Sequence, residues 1–180
     1  MAKKAALAIA LAILTMLGFA EGQKGGLIDG EGWAMLVSAP EGWVWDGSRL
    51  RMQGIRGLFY KAGDRYSPSG LHMYISPSQK KPGGPATLGE FMEADEAAFM
   101  KADPGCSIVD RSPYSSGMGY DFALRDFEDR DEGSYQALAY YEGLKAYFIF
   151  VLSCEGAQER ERERPSFLEL LDSFTYIAKE

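Results

Sequence analysis

Hydrophobic positions change spacing along this chain in an order that predicts its elements. Trp33 to Ser38 is a short apolar run halted by Ala39-Pro40-Glu41-Gly42, a turn sequence, and Trp43-Val44-Trp45 is a second brief extended piece. Gln53 to Ala62, with Ile55, Leu58, Phe59 and Tyr60, reads as a strand. In Leu71 to Ser76, Leu71, Met73 and Ile75 alternate with His72, Tyr74 and Ser76, the period of a strand. Thr87 and Glu90 then stand at capping-box spacing, ahead of an apolar stripe of Leu88, Phe91, Met92 and Phe99, so a helix starts here and stops at Asp103-Pro104-Gly105.

Strand patterns resume at Cys106 to Arg111, Gly117 to Phe127, Ser134 to Glu142 and Leu144 to Ser153. In the last of these, Tyr147 to Leu152 are apolar on both faces, the mark of a central strand covered on both sides. A final helix is expected from about Arg164 to Phe174, where Phe167, Leu168, Leu170, Leu171 and Phe174 keep helical spacing. Short loops join most strands. The expected fold class is therefore α+β: one domain, residues 33–180, with an antiparallel β-sheet of about six to seven strands flanked by helices.

The N-terminus breaks this pattern. Lys3 and Lys4 precede an apolar run from Ala5 to Phe19, and Gly18-Phe19-Ala20 places small residues at the positions a signal peptidase inspects. Residues 1–20 read as a signal peptide cut near Ala20, leaving a periplasmic or secreted protein. The apolar core, about 15 residues, is short of the roughly 20 that span a bilayer, which disfavours a retained anchor. Residues 21–32, rich in Gly, read as a flexible leader. The chain has 180 residues and a formal net charge of −7. Cleavage removes two Lys and no acid, which takes −7 to −9. An acidic chain without a basic face gains nothing from phosphate backbones, so nucleic acid is not an expected partner.

Export changes the reading of the two Cys, Cys106 and Cys154, because disulfides persist outside the cytoplasm. A bridge between them would close a loop of about 48 residues, worth roughly 4 kcal/mol. The alternative is two separate buried thiols, since free Cys packs as a small hydrophobe.

Catalytic patterns are sparse. The single His, His72, sits in a strand beside Ser67, Ser69 and Ser76, without a Gly-x-Ser-x-Gly elbow, and reads as structural. Asp126, Glu128, Asp129, Asp131 and Glu132 form the densest carboxylate cluster; without calcium-loop spacing it reads as a solvated hairpin tip. Glu159 to Arg164 alternates in sign and reads as an exposed entry to the last helix. No catalytic residue, metal or cofactor is expected. Aromatics carry more weight: Trp43, Trp45, Tyr60 and Tyr74, with Tyr66 and Tyr114 nearby, are either core or a partner-binding patch near a sheet end.

Ser38-Ala39-Pro40-Glu41-Gly42-Trp43-Val44 resembles the start of PsbP-like domains, where a first strand runs into Pro-x-Gly-Trp. Leu71 to Ser76 resembles the third strand of that fold, and Thr87-Leu88-Gly89-Glu90-Phe91 the opening of its long helix. Ala139-Tyr140-Tyr141 through Phe148-Ile149-Phe150 resembles its closing hairpin, and Phe167 to Phe174 its last helix. The likeness implies an α/β/α sandwich shared with photosystem II extrinsic proteins, a Ran-binding nuclear import factor, DcrB-like bacterial envelope proteins and secretion-system chaperones. It also implies partner binding, with no catalytic residue to carry over. The expected function is an exported, non-enzymatic protein that binds a protein partner in the bacterial envelope, as an assembly or stabilising factor. The alternatives are a periplasmic immunity protein against a toxin, and a small-ligand binder or hydrolase with a cleft near Trp43 and Trp45.

Overall fold

The computed structural model describes residues 24–47, 54–68, 70–129 and 133–179; the signal-peptide reading of residues 1–20 lies outside them. The chain runs β1 (Gly25–Gly30), β2 (Trp33–Ser38), β3 (Trp43–Asp46), β4 (Gly57–Lys61), β5 (His72–Gln79), α1 (Leu88–Ala102), β6 (Ser107–Ser115), β7 (Asp121–Asp129), β8 (Ser134–Glu142), β9 (Ala146–Cys154), α2 (Ala157–Asp172) and β10 (Thr175–Ala178). Seven strands form an antiparallel sheet in the order β3-β4-β5-β9-β8-β7-β6, and β1-β2-β10 form a second, three-stranded antiparallel sheet. The fold is α+β, as the strand and helix patterns predict.

Both faces of β9 are covered. On one, Phe148, Phe150 and Leu152 are fully buried with Phe167, Leu170 and Leu171 of α2, Phe174 just after it, and Met35 and Val37 of the small sheet. Phe174 is the hub of this layer: its ring lies 5.1–5.9 Å from those of Tyr120, Phe122, Tyr141, Phe148 and Phe150. On the other face, α1 lays Phe91, Met92 and Phe99 over Tyr147, Tyr140 and Phe127. Thr87 caps α1 by accepting from the Glu90 amide at 3.2 Å, while Glu90 accepts from the Ala86 amide at 2.7 Å.

Two expectations about the chain ends of the domain need correction. Residues 25–30 are not a flexible leader but strand β1, paired along its length with β2. Its glycines fit a packing demand: a Cβ on Gly26 would fall 1.9 Å from the Trp45 ring, and one on Gly30 would fall 2.0 Å from the Trp33 ring. The last helix begins at Ala157, about two turns before the expected Arg164, and carries Pro165 within it.

Those extra turns also correct the reading of Glu159–Arg164 and of the acidic tip. Arg160 and Glu163 are buried, and Asp126 is 0% exposed. Asp126 accepts from Arg111 at 2.6 Å and from Arg164 at 2.8 Å, Arg160 reaches Glu128 at 2.8 Å, and Glu163 pairs with Lys61 at 2.6 Å. The first half of α2 is thus clamped to the sheet by ions, and the second half by apolar side chains. Asp131 and Glu132 lie outside the described residues.

The expected disulfide is also corrected. Cys106 and Cys154 are both free and buried. Register runs from Ser107, beside Cys106, through Glu128 and Tyr135 to Cys154, with β7 and β8 in between. Three interstrand steps span roughly 14 Å, where a bridge needs Cα atoms within about 7 Å. Burial pushes the Cys154 thiol up to about 11, and its Sγ donates to the Tyr135 carbonyl at 3.2 Å.

Replacing Asp126 with Ala removes the buried carboxylate that Arg111 and Arg164 share, while Arg164 keeps Glu161, and should cost about 3 kcal/mol in urea unfolding, the order of two lost charged hydrogen bonds; a loss under 1 kcal/mol would contradict the clamp. The hydrogen bond from Arg164 holds Glu161 down at about 2. Its folded value lies below its unfolded value, so its contribution is present above about pH 4.5 and is lost as pH falls toward 2. Glu161→Gln should flatten the stability slope in that window.

Candidate functional site

The four aromatics expected to form one patch are divided by strand alternation. Trp45 is opposite Phe59 and Phe59 opposite Met73, so Trp43 and Trp45 point to the α2 side of the large sheet. Tyr60 pairs with Val44, and Tyr74 with Leu58, which turns both tyrosines to the α1 side. Trp43 is only 4% exposed and belongs to the core, and Trp45 packs against that core half-buried. Both indole N–H groups are buried, and among the described residues neither has a hydrogen-bond partner. A broad depression of about 680 Å³ lies beside Trp43, between the Pro40–Gly42 turn and Glu169 of α2, but the indole presents little surface to it.

Tyr74 stands in a polar chain under α1. Its ring stacks on His72 at 5.8 Å, and Tyr66 meets His72 edge-on at 5.3 Å. His72 is buried, and its Nδ1 lies 2.7 Å from the Gly70 carbonyl, which can only accept. Nδ1 therefore carries the proton in the neutral ring, and Nε2 is left as an acceptor. Burial pulls His72 below its ordinary value, against the Gly70 bond that raises it. Burial first, then the Asp95 charge and Tyr66, hold Tyr74 up at about 12.

Asp95 of α1 faces the sheet half-buried and accepts from the Tyr140 hydroxyl at 2.8 Å. Burial raises its carboxyl, opposed by that hydrogen bond. Asp95 also lines a cavity of about 380 Å³ between α1 and the loop after β5, with Phe91 and Ala94 on the helix side and Lys80 and Lys81 on the loop side. Tyr147 closes one end: its ring stacks on Phe91 at 4.5 Å, its hydroxyl donates to the Pro85 carbonyl at 3.0 Å, and Lys80 lies over it at 4.5 Å. Lys80 also pairs with Glu142 at 2.5 Å.

A second surface lies on the small sheet. Register places Leu27 opposite Leu36 and Ala34 opposite Ile177, on the face turned away from Met35 and Tyr176. Leu27, Leu36 and Ile177 are 55%, 44% and 39% exposed. Neither surface was singled out from the sequence. Alternation gives the signal for the second, since Met35 and Val37 face inward and Leu36 between them faces outward. Asp95 in the apolar stripe of α1 is the signal for the first.

No family model matches this chain, and no curated protein matches it. Among solved structures, the chain is similar to cyanobacterial PsbP (CyanoP) from Synechocystis sp. PCC 6803, with a TM-score of 0.55 and 12% identity over 89% of this chain and 96% of that one. A crystal structure from Bacteroides thetaiotaomicron VPI-5482 matches with a TM-score of 0.42 and 15% identity, over 88% of this chain and 50% of that one. The fold is PsbP-like, in agreement with the resemblance read from Ser38–Val44 and the elements that follow.

Because the chain holds one His, its imidazole resonances are assigned without mutation. They should titrate below pH 6.5, with Nδ1 protonated in the neutral form. The folded value lies below the unfolded one, so stability falls as His72 protonates on acidification. A midpoint above 6.5 would contradict the burial described here.

Proposed function

We propose that this chain is an exported, non-enzymatic protein that holds a protein partner in the bacterial envelope, and that the partner sits on the outer face of the β1-β2-β10 sheet. The observation that carries this reading is the solvent-facing set of Leu27, Leu36 and Ile177 on a sheet whose other face is filled by core. Apolar surface left in water forgoes about 25 cal/mol per Å², which a partner with an apolar patch of its own recovers. Export is supported by Lys3 and Lys4, the apolar run to Phe19 and the small residues before Glu21. Among the described residues, no helix is long and apolar enough to cross a membrane. The PsbP-like fold adds support, since that resemblance implies partner binding.

The test is crosslinking in intact cells with a photoreactive residue at Leu27. Wild type should yield one stoichiometric adduct. Leu36→Asp should lose it while keeping its melting temperature, and Met118→Asp, at an exposed apolar position off this face, should keep it. The same adduct from Leu36→Asp, or none from wild type over repeated trials, would overturn the reading.

A further inference from the structure

A carboxylate in the sheet-facing stripe of a helix is unfavourable unless something occupies its remaining acceptor positions. Asp95 is such a residue: among the described residues its one hydrogen-bond partner is the Tyr140 hydroxyl, which donates to Oδ2 at 2.8 Å. A carboxylate offers about four lone-pair positions across two oxygens, so one hydroxyl leaves most of its capacity unused. The same residue opens onto the cavity of about 380 Å³, within the size range of small-molecule sites.

The walls of that cavity are chemically divided. On the helix side, Phe91, Ala94, Asp95 and Ala98 are spaced at i, i+3, i+4 and i+7 and so share one face of α1. The two alanines leave open a volume that larger residues would fill. On the loop side stand Lys80 and Lys81. Lys80 is fixed by Glu142 and by the Tyr147 ring, and Tyr147 in turn pins the loop through Pro85. The space therefore has cations on the loop, a carboxylate on the helix, and an aromatic surface of Phe91 and Tyr147 joining them. A ligand with a single charge would answer one wall and oppose the other.

We propose that this cavity binds a small zwitterion of amino-acid size, its carboxylate toward Lys80 and Lys81, its ammonium toward Asp95, and its side chain along Phe91 and Ala94. The site is independent of the outer face of the small sheet, so the two readings stand or fall separately.

The test follows amide shifts of Lys81, Ala94 and Ala98 in two-dimensional NMR of the full exported chain, with three probes. L-phenylalanine carries both charges, 3-phenylpropionate only the anion, and phenethylamine only the cation. L-phenylalanine should move these amides and bind about tenfold or more tighter than either single-charge probe, since each lost charged hydrogen bond is of that order. Asp95→Asn, which keeps an acceptor for Tyr140, and Lys81→Glu, at an exposed position, should each weaken it about tenfold. Ala98→Leu, which exchanges the strongest helix former for another strong one at an exposed position, should abolish it by filling the cavity. No shift with L-phenylalanine, equal affinity for a single-charge probe, or undiminished binding by Ala98→Leu would each overturn the proposal.

Discussion

Everything in this molecule is arranged around a strand that cannot tolerate water on either face. In β9, alternate residues are large and apolar, with Phe148, Phe150 and Leu152 facing one way and Tyr147 and Val151 the other, all at 2% exposure or less. Such a strand must sit inside a sheet, between β5 and β8, and the sheet must carry a layer on each side. On the Tyr147 side that layer is the single helix α1. On the Phe148 side α2 shares the cover with the inner face of the three-stranded sheet.

That division of labour explains where free surface remains. The helical layers spend their apolar faces on the core. The small sheet is two-sided, and with one side against Trp45, Phe148 and Phe174 its other side is left to solvent, which is where Leu27, Leu36 and Ile177 come to lie. The groove beside α1 has a similar origin. The helix packs over β7, β8 and β9 through Phe91, Met92 and Phe99, and its remaining flank, with Ala94, Asp95 and Ala98, meets the loop after β5 across a gap.

Much of this was legible in the sequence because it rests on periodicity. Ser134–Glu142 emerges as β8 with the bounds set by the acidic turn before it and Gly143 after it, and the two-faced run Tyr147–Leu152 places β9 at the centre. The misses share a cause: residues whose type argues one way while their position argues the other. Gly25, Gly26 and Gly30 look like a linker, yet Gly26 and Gly30 are what allow Trp45 and Trp33 to pack on β1. Arg160, Glu163 and Arg164 look like a solvated turn, yet stepping back from Phe167 by three, four and seven residues lands on all three, so they belong to the buried face of α2. Cys106 and Cys154 look like a pair, yet pairing depends on strand order, and the order puts β7 and β8 between them. For the aromatics, composition groups Trp43, Trp45, Tyr60 and Tyr74, whereas alternation and register divide them between opposite faces.

The central role of β9 is tested most directly by native-state hydrogen exchange resolved by residue. The amides of β9 and its neighbours β5 and β8 should be the slowest in the protein, exchanging only when the whole domain unfolds, with β1, β10 and the ends of α1 opening at lower free energy. If β1-β2-β10 or α1 outlasted β9, the two-faced strand would not be what holds the structure together.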